Sequence, residues 1–480
     1  MTSKPTQIHP LTFSTTDFLK SVKSIGDALK KFVDGSRAGN GNVVRFESVT
    51  SWRQELQLEQ FVERAGSAGD PALVAEFVEQ YLDSLIRLND PRFIGHQIAR
   101  PHFASALADL VNGMTNNGMA VYEMGPGPVT LEKFVVDWLL QFFPNPAWSD
   151  GGGFLTHGGS LANLTALLAA RGIQDPDSWK SGVNRDLCFM IPEASHYCVK
   201  RAICILGYGE DSIVYLPTNR FGQIEVGQID ESYQAALDRG KKPIAITANA
   251  ASTPTGLFDD LSAIGKFATA KGMWFHVDGA HGASALVSER YRSYLAGIEY
   301  ADSIVWDQHK LLQTSALCTS VLFRRASSLN TIFQQQASYL NESLDEERPN
   351  LFRHTIECTK VPMSLKFYLC LLACGPDGLA RFLESLFEQT HKIYELISAR
   401  EGFRCPCPPQ SNILCFQYRP DEWDQFALRH HVVSGEQFYF TQTELAGEKY
   451  MRFTVTNPET DVETVNRLMD EVEKVASEMR

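Results

Sequence analysis

Ser303-Ile304-Val305-Trp306-Asp307-Gln308-His309-Lys310 is an apolar run that closes on a lysine. Thirty-two residues before that lysine, a second run, Met273-Trp274-Phe275-His276-Val277-Asp278, closes on an aspartate. Short apolar runs of this kind, bounded by polar residues, read as buried strands. Five more surround them, at Phe154-Leu155, Leu187-Ile191, Ser212-Leu216, Ile244-Thr247 and Leu317-Phe323. Amphipathic stretches such as Leu161-Arg171, Tyr197-Leu206 and Leu261-Ala270 lie between several of them. The alternation predicts an α/β fold: a mostly parallel, seven-stranded sheet with helices on both faces. Such sheets bind ligands at the carboxyl ends of their strands, where Asp278 and Lys310 both fall.

Outward from that core the chain reads in three parts. Residues 1–95 read as helical, with Phe61-Val62, Leu73-Val74, Phe77-Val78 and Tyr81-Leu82 including pairs spaced by four, and suit a partner-packing layer. Residues 96–385 form the large domain. Residues 386–480 form a smaller α+β domain, with a helix at Leu386-Ala399, strands at Ile413-Tyr418, Phe438-Phe440 and Met451-Val455, and a last helix at Val462-Met479. A formal charge of -13 argues against a general binder of nucleic acid or anionic membrane. Met1 to Pro10 lacks the basic start and apolar core of a secretory signal. No apolar run approaches the roughly 18 residues needed to span a bilayer. The ten cysteines are scattered, and the Cys405/Cys407 pair has no second pair to complete a zinc site. They are expected to be reduced thiols in a cytoplasmic protein, with no metal.

Four further features fall at strand ends. Gly151-Gly152-Gly153-Phe154-Leu155-Thr156-His157-Gly158-Gly159-Ser160 leads into a helix; its glycines admit close backbone approach, and free N–H groups at a helix start attract phosphate. Ser160 can cap that helix or donate to a phosphate oxygen. His196, after Leu187-Ile191, can stack on a flat heteroaromatic ring. Ala251-Ser252-Thr253-Pro254-Thr255-Gly256 offers hydroxyls at another strand end, and Asp278-Gly279-Ala280-His281 offers a carboxylate beside a small residue. Each has a plainer reading alone: an empty glycine turn, a core histidine, turn hydroxyls, a turn aspartate, a surface lysine. One ligand explains all of them together. Pyridoxal 5'-phosphate needs a lysine amine for its aldehyde and a carboxylate that keeps its pyridine nitrogen protonated.

On these residues the chain resembles the group II pyridoxal phosphate-dependent amino-acid decarboxylases, such as those acting on glutamate, aromatic amino acids, histidine or 2,4-diaminobutyrate. The matching blocks are Gly151–Arg171, Pro192–Lys200, His276–Leu286, Trp306–Leu312 and Tyr450–Thr456. The resemblance implies a fold type I transferase-like homodimer with active sites near the subunit interface. It implies Lys310 as the Schiff-base lysine, Asp278 as the pyridine partner and His196 as the stacking ring. Gly159, Ser160 and His309 resemble phosphate contacts. Ser252, or Thr253 if the alignment slips by one, resembles the hydroxyl near the ring, and Ala280 the small residue packed against it. Arg452 resembles the arginine that orients the substrate carboxylate.

Two departures stand out. The family often has Asn-Pro-His-Lys where this chain has Asp307-Gln308-His309-Lys310, and no phosphate role is assigned to Asp307. In the loop at about 338–360, Phe352 aligns with a tyrosine that protonates the substrate carbon in aromatic amino acid members. Tyr339 or His354 are alternative proton donors. In relatives with phenylalanine there, oxidative deamination to an aldehyde competes with simple decarboxylation. Gln97 aligns with a pocket position that is aromatic in the aromatic-type members, and Arg100, His102 and Arg353 are possible positive charges. The expected reaction is therefore decarboxylation of an acidic or small polar L-amino acid to its amine. The alternatives are an aromatic-type or aldehyde-forming enzyme and, more remotely, a non-catalytic binder of the cofactor.

Overall fold

The computed structural model describes residues 14–67, 69–333 and 348–479. The chain divides into two units. The smaller takes the described residues up to Ile94 with Ala427–Phe440 and the stretch from Glu459 on; the larger takes Gly95–Phe426 and Thr441–Pro458.

In the smaller unit the four-residue spacing does fold as helices, Thr15–Arg37, Val49–Glu55, Leu58–Ala65 and Ala72–Leu82. Ser14 starts the first by accepting the N–H groups of Thr16 and Asp17. Phe61 and Phe77 meet edge to face at 5.3 Å, which joins two of the helices. A short strand, β1 (Phe93–Ile94), pairs in parallel with Tyr439 and Phe440, and the rings of Phe93 and Tyr439 stack at 5.3 Å.

The larger unit is built on seven strands: β2 (Gly152–Thr156), β3 (Leu187–Pro192), β4 (Ile213–Leu216), β5 (Lys242–Asn249), β6 (Trp274–Asp278), β7 (Ser303–Asp307) and β8 (Thr319–Phe323). All seven coincide with the runs read from the sequence. Their order is β2-β8-β7-β6-β5-β3-β4. The run β7-β6-β5-β3-β4 is parallel, and β8 alone is reversed against both its neighbours. The reversal follows from chain length. Only 308–318 separate β7 from β8, too few for the crossover a parallel return needs. Apart from the exposed Tyr215 and Lys242, strand side chains are largely buried on both faces, as parallel sheets require, and Phe154, Phe189, Phe275, Trp306 and Phe323 fill the layers. Each such ring contributes roughly 1.5–3 kcal/mol by leaving water.

A second sheet runs β11 (Tyr439–Leu445), β12 (Glu448–Thr454), β10 (Ile413–Tyr418) and β9 (Phe403–Arg404), antiparallel throughout. β11 and β12 form a hairpin longer than the two short runs read from the sequence. Ala446 and Gly447, both at positive φ (48° and 81°), make its two-residue turn. The helix expected at 386–399 is also longer, Ser364–Ala399, with a break at Gly375 (φ 68°) before Pro376. Among the described residues no helix is long and apolar enough to cross a membrane, and no three His, Cys, Asp or Glu side chains gather to hold a metal ion.

Candidate active site

The carboxyl ends of β5, β6 and β7 lie side by side, with Asn249 opposite Asp278 and Asp278 opposite Val305. One helical turn, Gln308–Leu311, follows β7 and brings Lys310 back over the strand ends. β2 runs into the Thr156–Gly158 turn, and the sixteen-residue helix Gly159–Gln174 starts there. Gly158 has φ +97°, a conformation that favours glycine. β3 leads to His196, the N-cap of Tyr197–Ile205. Together these ends enclose a cavity of about 200 Å³, with Gly159, Ser160, His196, Asp278, Ala280 and Lys310 on its wall. All six were singled out from the sequence.

Burial raises the Asp278 carboxyl above its ordinary value, and the charges of Lys310 and His196 act against that. Its two oxygens already have donors: Asn163 Nδ2 at 3.3 Å and the Ala280 N–H at 3.2 Å. Burial holds His196 below its ordinary value, with Asp278 pulling it up. His196 Nδ1 accepts the Cys198 N–H at 3.3 Å, so the neutral ring carries its proton on Nε2.

Asp307 also lines the cavity. Its Oδ2 lies 3.1 Å from Lys310 Nζ, and its Oδ1 accepts the Thr319 hydroxyl at 2.6 Å. A Cβ on Gly159 would stand 3.2 Å from Asp307 Oδ1. The residue left without a role in the sequence is thus the lysine's direct counter-charge.

The other singled-out residues, Thr253 apart, lie off the cavity wall. Thr253 lines it, whereas Ser252 is buried with its hydroxyl 3.4 Å from that of Thr255. His309 is buried, with Nδ1 2.9 Å from the Cys318 carbonyl and Nε2 3.8 Å from Asp307 Oδ2. Arg452 is buried on β12 and donates to the carbonyls of Thr253 (2.7 Å) and Pro254 (3.0 Å) and to the Thr441 hydroxyl (3.1 Å). Burial pushes its guanidinium down to about 10. Phe352 is buried in a one-turn helix, its N–H on the Ala120 carbonyl at 2.9 Å. Gln97 is partly buried, with no hydrogen-bond partner for its buried Nε2. His102 caps Phe103–Thr115, Arg100 reaches Asn457 at 3.4 Å, Arg353 lies over the Phe352 ring, and His354 Nδ1 meets the Leu329 carbonyl at 3.3 Å. Tyr339 lies outside the described residues.

Sequence reading missed Asn163, Cys198 and Asn249, which also line the cavity. Asn163 is three residues after Ser160 on one helix, the spacing that puts both on one face. The cavity fits a flat anionic heteroaromatic cofactor. It offers an amine, a buried carboxylate for a ring nitrogen, an imidazole, and a helix start whose first N–H groups have no acceptor within the helix. Two side chains on its wall, Asn249 and His281, each keep one buried nitrogen without a partner (Nδ2 and Nδ1).

Fold and site together define an α/β enzyme of the pyridoxal phosphate type. Residues 67–419 match the pyridoxal-dependent decarboxylase conserved domain, and the chain belongs to that family. It is similar to the acidic amino acid decarboxylase GADL1 of Bos taurus, 27% identical over 90% of this chain and 87% of that protein. It is 30% identical to the L-aspartate decarboxylase dtxS4 of Metarhizium robertsii, over 69% of this chain and 67% of that one. The fold matches the crystal structure of mouse CSAD with a TM-score of 0.87 at 23% identity, covering 96% of this chain and 99% of the other. The chain is a pyridoxal phosphate-dependent carboxy-lyase acting on an amino acid.

Proposed function

We propose that this enzyme removes the α-carboxylate of an acidic or small polar L-amino acid, releasing the amine and carbon dioxide, with Lys310 as the residue that carries the cofactor. The observation behind the assignment is the single cavity that joins the Lys310 amine to the buried Asp278 carboxylate. Bound there, pyridoxal phosphate supplies a ring that accepts the electron pair freed when the Cα–carboxylate bond breaks.

The chain's own part is positioning and charge. Asp278 keeps a proton on the pyridine nitrogen through a charge-assisted hydrogen bond. His196 would stack on the ring, and Ala280 would leave room for it. Gly159 and Ser160, at the start of their helix, would hold the phosphate, with His309 behind them. Thr253, or Ser252 beside it, offers the ring its hydroxyl. Arg452 already donates to the Thr253 and Pro254 carbonyls, so its part is to hold the loop that carries Thr253, and a role toward the substrate carboxylate rests on the family resemblance. Gln97 Nε2 is a donor free for a polar substrate side chain.

Support for the substrate class comes from the relatives, one an acidic amino acid decarboxylase and one an L-aspartate decarboxylase. Phe352 has no proton to give, which favours aldehyde formation as a second reading. Its burial away from the cavity wall weighs against that reading.

A homodimer is part of the proposal. Phe103, Leu107, Leu110, Val111 and Met114 form one exposed apolar stripe on Phe103–Thr115, the mark of a face that another chain covers. A cytoplasmic setting accords with ten free cysteines.

Borohydride reduction of the loaded enzyme, followed by peptide mapping, tests the Lys310 assignment. The pyridoxyl group is expected on Lys310, and Lys310→Ala should carry none and turn over nothing. Label on another lysine refutes the assignment.

A further inference from the structure

Behind Asp278 lies a chain of buried polar groups. Trp274, His276 and Asp278 alternate along β6 and so share one face of the sheet. His276 stands opposite Ser303, the first residue of β7. The contacts run Trp274 Nε1 to Ser303 Oγ (2.9 Å), Ser303 Oγ to His276 Nδ1 (2.9 Å), His276 Nε2 to Asn163 Oδ1 (2.7 Å) and Asn163 Nδ2 to Asp278 Oδ2 (3.3 Å). Asn163, His276 and Ser303 are at most 1% exposed.

Donor accounting gives the chain a direction. The indole N–H of Trp274 donates to Ser303 Oγ, and Asn163 Nδ2 donates to the carboxylate, which leaves Asn163 Oδ1 as the acceptor facing His276 Nε2. The imidazole stays neutral, because burial pushes it down to about 3, and its one proton then sits on Nε2. That N–H donates to Asn163 Oδ1, which leaves Asn163 Nδ2 facing the carboxylate. Run the other way, the chain would set the Asn163 carbonyl oxygen against Asp278, an arrangement suited only to a protonated carboxyl. The two directions therefore correspond to the two protonation states of Asp278, and the Asn163 Nδ2 donor on Asp278 Oδ2 is the one that suits the carboxylate.

We infer that Asn163 and His276 are positioning residues that hold Asp278 as an oriented carboxylate and so keep the proton on the cofactor's pyridine nitrogen. The inference rests on the reading of Asp278 as the group that faces that nitrogen. A buried carboxylate without such donors tends to take up a proton, since burial favours the neutral form. The partners behind a catalytic group commonly govern its state in this way.

The test loads wild-type enzyme and variants with pyridoxal phosphate labelled with 15N in the ring, and reads the nitrogen chemical shift. Wild type is expected to show a protonated nitrogen and Asp278→Asn an unprotonated one. Asn163→Ala and His276→Phe are expected to fall between, with kcat down roughly 10–100-fold and KM little changed. His276→Gln, whose amide supplies an N–H to Asn163, should restore most of the wild-type shift. If Asp278→Asn moves the shift while Asn163→Ala and His276→Phe keep the wild-type value, the inference is overturned and the Asp278 reading stands. If Asp278→Asn leaves the shift in place, the Asp278 reading itself fails. Asn163 and His276 act through one path, so Asn163→Ala decides alone if the phenylalanine variant does not fold.

Discussion

Lys360→Met is the substitution whose cost the structure sets most directly. Lys360 is wholly buried, and its ammonium contacts both oxygens of Glu132, itself 2% exposed. Glu132 Oε1 also accepts the Leu155 N–H at 3.0 Å, and Leu155 lies on the strand that runs into the Gly158–Gly159 turn. Methionine keeps most of the stem's volume and removes the charge, so an uncompensated carboxylate is left in the core. Breaking a buried pair from one side costs about 3–5 kcal/mol, whereas replacing both partners is often close to neutral. The double variant Glu132→Gln/Lys360→Met removes both charges and retains an oxygen for the Leu155 N–H. Urea unfolding of the cofactor-free proteins, followed by fluorescence and circular dichroism together, should show a loss of about 3–5 kcal/mol in the single variant. The double should return to within roughly 1–2 kcal/mol of wild type. Cofactor affinity should fall and recover in parallel, because β2 carries the turn. A single variant that loses less than about 1 kcal/mol, or a double no better than the single, refutes the reasoning.

Three other outcomes are expected. Asp307→Asn removes the carboxylate 3.1 Å from Lys310 and beside Gly159, so apoenzyme titration should show severalfold tighter pyridoxal phosphate binding; unchanged or weaker binding would show that Asp307 does not oppose the phosphate. Burial pushes both His276 and His281 down to about 3 from an ordinary 6.5. Depressed folded-state values give stability that is present above about pH 6.5 and lost as pH falls toward 3, about 2 kcal/mol per histidine between pH 7 and 5. Urea midpoints at the two pH values check this, and a flat profile contradicts it. Phe352→Tyr puts a hydroxyl into a buried site, so it should cost roughly 1–3 kcal/mol and leave the ratio of amine to aldehyde unchanged. A switch in product would place Phe352 at the reacting carbon.

Much of this was legible in the chain because the strands of the main sheet are buried on both faces. They read as unbroken apolar runs, and the residues at their ends, Asp278 and Lys310 above all, stand out against them. What stayed hidden depends on side chains meeting across elements. The reversal of β8 follows from the short connection after β7, not from any pattern within the strand. Ala446-Gly447 is a weaker hairpin signal than Asn-Gly, so β11 and β12 read as two short fragments. Asn163 looks like one polar residue in an apolar helix until His276 and Asp278 are seen to share a face of β6. Asp307 read as a misfit beside a phosphate site, and only its distance to Lys310 shows what it faces. Thr253 rather than Ser252 lines the cavity, a one-residue question that a loop after a strand leaves open.

The most direct test of the central claim loads the purified enzyme with pyridoxal phosphate and supplies L-aspartate, L-glutamate, cysteine sulfinate, 2,4-diaminobutyrate and the aromatic amino acids in turn, with products identified by mass. Amine and carbon dioxide without hydrogen peroxide are expected, from acidic or small polar substrates in preference to aromatic ones. Aldehyde, ammonia and peroxide, or a preference for the aromatic substrates, would contradict it.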